Sequence, residues 1–304
     1  MTIAPGSPAW SVVVPTCSRP EPLARCVAGL AALRPPAGGF EIIVVNDGGI
    51  EPPDEVRAVA VAGHAMSATF LSQPNAGPAA ARNHGAERAR GSWLAFTDDD
   101  CVPEPDWLRA FEGALRRAPD ALIGGVVRNA LRANLLAEAS QSLSEYSGTF
   151  FDGTGDRERF FSTNNVAVSR AAFRGAGGFD VVFPFAAEDR EFCDRWHAQG
   201  RPSVLEPRAI VHHAHDLTVT AFLRQHREYG RGGRRFRTVR RGVGRPVPIN
   251  LSFYLGSLRH VARGRPALRG AVLTALTLAA HGAYLVGLVF SGARPRRRYS
   301  HSRR

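Results

Sequence analysis

The chain has no lysine; all 39 of its basic residues are arginine. An absence this complete can follow from a genome's codon usage, so it is assigned no function. Cysteine is scarce. Cys17, Cys26, Cys101 and Cys193 are scattered, with no C-x-x-C pair and no regular spacing, which argues against a disulfide framework or a zinc site and for free thiols in a reducing compartment. The first residues, Met-Thr-Ile-Ala-Pro-Gly, offer no basic start and no long apolar run before Pro15, so a cleaved secretory signal is not expected. Acid is missing from one stretch. From Arg224 to Arg304 there are 19 arginines and a single acid, Glu228, a local charge of +18, whereas the first 223 residues hold 20 arginines and 26 acids, or −6. The sequence describes a mildly acidic body with a strongly basic tail.

The 304 residues, 44% of them apolar, suffice for one large α/β domain with an appendage or for two modest domains. Ser11-Val12-Val13-Val14 stops at Pro15, and Glu41-Ile42-Ile43-Val44-Val45 stops at Asn46-Asp47-Gly48-Gly49. Short β-branched runs ended by turn formers suit strands buried on both faces of a parallel sheet. Between them, Leu23, Val27 and Leu30 fall at i, i+4 and i+7 of a helix over 22–33. Strand, helix and strand in about 35 residues make a βαβ unit, whose ligands bind beyond the carboxyl ends of the strands. A third strand is expected at Ala68-Thr69-Phe70-Leu71, a helix from Pro78, and a fourth strand from Ser92 to Phe96. Pro15-Thr16, Asp47 and Asp98 would then share one rim.

Phe96 is followed by Thr97-Asp98-Asp99-Asp100. Three acids at the end of a buried strand repel one another and resist desolvation, so a positive group is expected there. A divalent metal carrying a phosphate answers that need, because magnesium and manganese take carboxylate, phosphate and water oxygens. In an extended segment, residues i and i+2 point the same way, so Asp98 and Asp100 are expected to share a pocket while Asp99 faces elsewhere. On its own the triplet reads equally well as a solvated acidic turn.

The blocks together resemble a family 2 glycosyltransferase with the GT-A fold. In order they are Val12-Val13-Val14-Pro15-Thr16 with Arg19, Ile43 to Gly48, Asn75-Ala76-Gly77 with Ala81-Arg82-Asn83-His84-Gly85, and Phe96 to Asp100. Asn165 to Arg170, Gly177-Gly178-Phe179-Asp180, Glu188-Asp189 with Arg195, and Gly200 follow. The resemblance covers about residues 10–222 and implies a nucleotide-sugar pocket lined by Pro15, Thr16, Arg19, Asp47, Arg82, Asp98, Asn165 and Glu188. Asp47 would accept from the base ring and Arg82, at a helix start, would face an anion. Asp98 and Asp100 match the family's D-x-D pair, the first nearer the ribose and the second on Mn2+ or Mg2+. Glu188-Asp189 falls at the E-D position, which makes Asp189 the base that takes the acceptor proton; a helix-capping role for Asp189 fits the sequence as well. Attack opposite the leaving diphosphate implies inversion. His212, His213 and His215 follow the expected strand Ala209-Ile210-Val211. His213 and His215 both fit the family's metal-contacting histidine, and His215 is the choice.

The tail reads differently. From Thr220 to Arg245, Phe222, Leu223, Tyr229 and Phe236 alternate with arginine and glycine. Residues 271–290 are then mostly apolar and just long enough to cross a hydrocarbon core, with arginines on both sides. The sequence is thus divided into a GT-A catalytic domain, 1–222, and an arginine-rich C-terminal region, 223–304, with an apolar helix at 271–290. The tail is expected to meet the anionic cytoplasmic face of a membrane, as a peripheral helix or with that one helix embedded. A hairpin packed on the body is the rival. Nucleic acid is not expected, since no recognition helix, RNP motif or zinc pattern is present. The acceptor would be a lipid-linked or envelope glycan. A nucleotidyltransferase would share the fold but lacks its basic glycine-rich loop here, and a non-catalytic binder of anionic lipid or polymer would have no use for Asp98, Asp100 and Asp189.

Overall fold

The computed structural model describes residues 7–152, 160–183, 186–247 and 250–290. The apolar runs become strands β1 (Trp10–Thr16) and β2 (Phe40–Asn46), joined by α1 (Pro20–Ala31). Next come α2 (Asp54–Ala62), β3 (Ser67–Ser72), α3 (Pro78–Arg88), β4 (Trp93–Phe96), β5 (Cys101–Pro103), α4 (Trp107–Arg117) and β6 (Leu122–Asn129). The chain continues through α5 (Leu135–Asp152), β7 (Val166–Ser169), α6 (Arg170–Gly175), α7 (Glu188–Ala198) and β8 (Ser203–His213), and ends in α8 (Val219–Gly242), α9 (Leu251–Ala262) and α10 (Ala267–Phe290). One eight-stranded sheet has the order β3-β2-β1-β4-β7-β6-β8-β5. Its first four strands are parallel, and β4–β7, β7–β6 and β8–β5 are antiparallel.

Both faces of the parallel half are covered, which explains why its strands carry no polar alternation. Val12, Val14, Ile42 and Val44 meet Leu23, Val27, Leu30, Trp107 and Phe111 on one side. Val13, Ile43, Val45 and Phe96 meet Phe173, Phe179, Phe192 and Trp196 on the other. Proline at the first turn of α1 and of α3 occupies a position with no intrahelical N–H partner, and Gly77 at φ 93° supplies the entry to α3. The parallel register sets Thr16 beside Asn46, so the ends of β1 and β2 open onto one edge.

The expected boundary after residue 222 falls inside α8. The three C-terminal helices close over the body through a third core made by Ala139 and Leu143 of α5, Phe222 of α8, Val261 of α9, and Leu273 and Ala280 of α10. Arginines of this region pair with acids of the body, Arg240 with Asp194 and Arg265 and Arg269 with Glu138. Helices α8 and α10 approach backbone to backbone. A Cβ at Gly230 would overlap the carbonyl of Tyr284, and one at Gly287 the carbonyl of Arg227.

The expected apolar helix is α10, the one described helix long and apolar enough to cross a membrane. It buries Leu273, Thr277 and Ala280 inward and exposes Leu268, Leu278, Leu285, Val289 and Phe290 outward. The arginines expected beyond it, from Arg294 on, lie outside the described residues.

Adding bulk at the α8–α10 crossing should therefore cost stability, while the same helix tolerates a methyl where it is open. Gly287→Val is expected to destabilise the chain by about 1–3 kcal/mol, the usual range for overpacking. Gly282→Ala, with nothing within 4 Å of the new Cβ, is expected to be neutral or slightly stabilising by helix propensity. Denaturant titration of both variants checks the contrast.

Candidate active site

Between β4 and β5 the acidic triplet is a turn, not an extended segment, with Cys101 N–H donating to the Asp98 carbonyl at 3.1 Å. Thr97 anchors it by donating its hydroxyl to the Asn164 carbonyl at 3.0 Å. Because the backbone turns, the expected alternation fails and Asp99 stays in the cluster. Thr16 Oγ1 donates to Asp99 Oδ2 at 2.7 Å, and Arg19 spans Asp99 at 2.7 Å and Asp100 at 2.8 Å. A second arginine works on the other flank. Arg82, fully enclosed on α3, donates to Asp98 at 2.6 Å and to Glu188 at 2.8 Å, while its Nε has no hydrogen-bond partner.

Strand β8 runs antiparallel to β5 and sets His213 opposite Cys101. His213 Nε2 lies 3.3 Å from Asp100 Oδ1, and the His215 ring stacks on His213 at 4.9 Å. Asp100, His213 and the buried Cys101 present ligand atoms within 4.8 Å of one another. Of the two histidines, His213 touches the D-x-D carboxylate; His215 stands behind it.

Helix α7 begins at Glu188, after Ala187, which adopts a left-handed φ of 74°. For a residue with a Cβ this conformation is strained, and strain concentrates where the surroundings impose it. They do so here through α8, since a Cβ at Gly232 would press on the Ala186 carbonyl. Asp189 lies in the first turn of α7, one residue inside the helix, and not at its cap. Its Oδ1 accepts from the Arg190 N–H at 2.7 Å.

Most of the expected residues line one cavity of about 970 Å³, at the upper end of the range for small-molecule sites. Pro15, Thr16, Arg19, Asp47, Arg82, Asp98, Asp100, Glu188, Asp189, His213 and His215 all face it. Asp47 accepts from Gln73, Ala76 N–H and Gly77 N–H at 2.7–2.9 Å, which leaves room for one further donor on its carboxylate. Asn165 does not join them. Its side chain is spent inside the sheet, accepting from Trp107 Nε1 at 2.8 Å and donating to the Val126 and Ala209 carbonyls.

Sequence reading missed the far wall of the cavity, which α5, α8, α9 and α10 build with Gln225, His226, Tyr229, Arg237, Tyr254 and Tyr284 among its residues. The available signal was the glycine spacing of Gly230, Gly232, Gly233 and Gly287, which marks close helix packing.

Burial pushes Asp99 up to about 7, aided by Asp100 and opposed by Arg19 and Thr16. Asp100 goes the other way. Burial would raise it, but the hydrogen bond and charge of His213, with Arg19, hold it below the usual carboxylate range. Burial would lower His213, and Asp100 outweighs that to raise it. His215 drops to about 4 through burial and the neighbouring His213. Asp189 rises to about 7, first by burial and then by the charge of Glu188, with the Arg190 N–H and Arg82 opposing.

A divalent cation fits this chemistry. Asp98, Asp99, Asp100 and Glu188 outnumber Arg19 and Arg82, the donors are hard oxygens with one imidazole, and the unpartnered Arg82 Nε points to an anion beside them.

A family model described as Glycosyl transferase family 2 matches residues 11–176. Among curated proteins, a pre-mycofactocin glycosyltransferase of Mycobacterium tuberculosis is 28% identical over 231 residues, 72% of this chain and 46% of that protein. A validoxylamine A glucosyltransferase of Streptomyces hygroscopicus is 27% identical over 225 residues, 64% of this chain and 53% of its own length. The chain thus spans about half the length of these relatives. Among solved structures, a mannosyltransferase of Pyrobaculum calidifontis in complex with GDP-Man and Mn2+ superimposes with a TM-score of 0.63 at 16% identity, over 94% of this chain and 88% of that one. S. aureus TarS 1–349 in complex with UDP gives 0.51 at 15% identity, over 92% and 88%.

Asp189 has a measurable signature of its own. Its folded value of about 7 exceeds the ordinary 3.8, so the folded chain binds that proton more tightly than the unfolded chain. The contribution to stability is complete below about 4 and is lost as pH rises through about 7. Asp189→Asn does not titrate. Its melting temperature, measured without metal or nucleotide, is expected to gain on the parent's across that window; a margin independent of pH would show that Asp189 is not held near neutrality.

Proposed function

The chain belongs to glycosyl transferase family 2, and from that premise we propose that it moves a sugar from a nucleoside-diphosphate sugar to an acceptor hydroxyl with inversion, using Asp189 as the base. One observation carries the reading: Asp189 faces the cavity beside the acidic edge with its carboxyl poised near neutrality. A base with that value is about half ionised at neutral pH and keeps enough proton affinity to take a hydroxyl proton. Glu188, held next to it by Arg82, adds to burial in raising that affinity.

The base of the nucleotide would lie against Asp47, whose remaining acceptor position suits a ring N–H. The diphosphate would lie between Arg82 and the Asp98–Asp100 turn. Asp98, Asp100 and His213 would hold manganese or magnesium there, which stabilises the charge that grows on the leaving diphosphate. The metal-contacting histidine is thereby assigned to His213 and not to His215. The P. calidifontis mannosyltransferase, which shares the fold and was solved with GDP-Man and Mn2+, supports a nucleotide sugar and a divalent metal as the groups bound here. Asp189→Asn is expected to bind UDP or GDP with manganese as the parent does and to lose about 10²–10⁴-fold in turnover, the usual worth of a general base. Equal turnover, followed by release of nucleoside diphosphate, would remove Asp189 from the chemistry.

The acceptor in this reading is a lipid-linked or envelope glycan, presented at the cytoplasmic face of a membrane. Helix α10 packs along α8 and contributes Ala280, His281 and Tyr284 to the cavity, so spanning a bilayer alone would open both the cavity wall and the α8–α10 crossing. Its exposed leucines, with those of α9 at Leu251 and Leu255, suit a helix lying in the headgroup region. The full chain is expected to sediment with phosphatidylglycerol vesicles, and high salt to release only part of it, since screening weakens the arginines but not the buried apolar face. Complete release by salt would mean a purely electrostatic attachment, and no sedimentation at all would remove the membrane from the account.

A further inference from the structure

The cavity is electrically divided. On the donor side, acids outnumber arginines. On the wall built by α5, α8, α9 and α10, the only acid among the described lining residues is Glu145, which is exposed on α5 and accepts from Gln141 at 3.3 Å. Facing the same space are Arg237 of α8 and Arg190 of α7. No carboxylate of the described residues pairs with Arg237.

The wall is shaped around these groups. Gly233 lies one turn before Arg237, and a Cβ there would overlap the Tyr284 hydroxyl, so α8 is notched to bring that hydroxyl beside Arg237. Arg190 stacks over Phe236 at 4.8 Å. Its pKa is lowered, chiefly by burial and in part by the charge of Arg237, against the opposing pull of Tyr284, Asp189 and Tyr254, which places all four within electrostatic reach of it. Two guanidinium groups and two phenol side chains thus line the same cavity within electrostatic reach of one another, and Arg190 is next to Asp189 in the chain.

Deeper on α8, His226 is buried, and its Nε2 has no hydrogen-bond partner; Oε1 of the adjacent Gln225 also has none. An orphaned buried polar atom on a cavity wall is a costly feature unless a ligand answers it. On the α5–α9 side, Leu143, Phe150 and Phe253 line the same cavity, with the two phenylalanine rings edge to face at 5.3 Å. The wall therefore offers a positive spot, free polar atoms and an apolar slot.

We propose that this wall is the acceptor subsite, and that it takes an amphiphilic acceptor carrying a phosphate ester, with Arg237 and Arg190 on the phosphate and the hydroxyls of Tyr254 and Tyr284 completing its donors. The inference rests on the glycosyl-transfer reading and narrows its acceptor to an anionic lipid-type molecule. Guanidinium pairs suit phosphate through paired N–H donors, and the aromatic slot suits a hydrocarbon chain. Asp189, one residue from Arg190, would face the acceptor's hydroxyl, so the phosphate serves recognition and not attack.

Calorimetry on the full-length chain with geranyl phosphate, geraniol and inorganic phosphate tests this. Geranyl phosphate is expected to bind the parent more tightly than either of the other two, which separates an amphiphilic phosphate from free phosphate and from an alcohol of the same chain. Arg237→Gln is expected to lose at least about tenfold in affinity for geranyl phosphate, the scale of a charge-assisted pair. Tyr254→Phe should lose about two- to fivefold for one neutral hydrogen bond. Neither variant should change the affinity for UDP or GDP with manganese. Equal binding of geranyl phosphate by the parent and Arg237→Gln, or binding of geraniol or inorganic phosphate as tight as that of geranyl phosphate, would overturn the proposal. Failure of the parent to bind any nucleoside diphosphate would refute the donor reading instead, and the geranyl phosphate comparison would still stand alone.

Discussion

Five carboxylates, Asp98, Asp99, Asp100, Glu188 and Asp189, converge at the carboxyl edge of the sheet, and two arginines hold the first four there. Burying that much like charge is costly unless each group has a partner. Arg82 binds the flank of Asp98 to the first turn of α7, joining β4 to a helix more than ninety residues later in the chain. Arg19 binds the loop after β1 to the turn after β4. These two ion-pair clamps bring four separate segments to one point, yet they leave the edge net negative. That surplus suits a cation; His213 and Arg19 keep Asp100 ionised, while burial and then the charge of Glu188 raise Asp189 to near neutrality.

The second constraint is the close crossing of α8 and α10. Glycines at 230 and 287 let the two backbones meet, and Gly232 brings α8 against the Ala186–Ala187 backbone from which α7 starts. The C-terminal region is therefore a wall of the same cavity that holds the acidic edge. The helix whose outer face exposes Leu278, Leu285 and Val289 thus packs on the helix that touches the backbone leading into Asp189.

The sheet was legible in the sequence because its signals are local. Val12 to Val14 and Ile42 to Val45 are apolar throughout since both faces are covered, and the residues that end them are turn formers. The strand ends put Pro15, Thr16, Asp47 and Asp98 on one rim for the same reason, and the family resemblance added Arg82, Asp100 and Asp189. What the sequence hid is tertiary. Whether residues 97–100 are extended or turned depends on the short return strand β5, so Asp99 could not be assigned to the cluster. Asn165 has the same composition cue as a ligand contact but is consumed by Trp107 and two carbonyls. His213 ends β8 and His215 follows two residues later, and only the pairing of β8 with β5 decides which reaches Asp100. The tail's charge pointed outward to lipid, whereas Arg240, Arg265 and Arg269 turn inward to Asp194 and Glu138.

The central claim is that the acidic edge is completed by a divalent metal together with a diphosphate. Thermal denaturation of the full chain against a panel of nucleoside diphosphates, each with and without manganese, tests it directly, because a ligand that binds only the folded state raises the melting temperature by mass action. At least one diphosphate is expected to stabilise the parent strongly with manganese and little without it, and Asp100→Asn to lose that manganese-dependent shift. Stabilisation by nucleotide that is the same with and without metal, or a full shift retained in Asp100→Asn, would contradict the account.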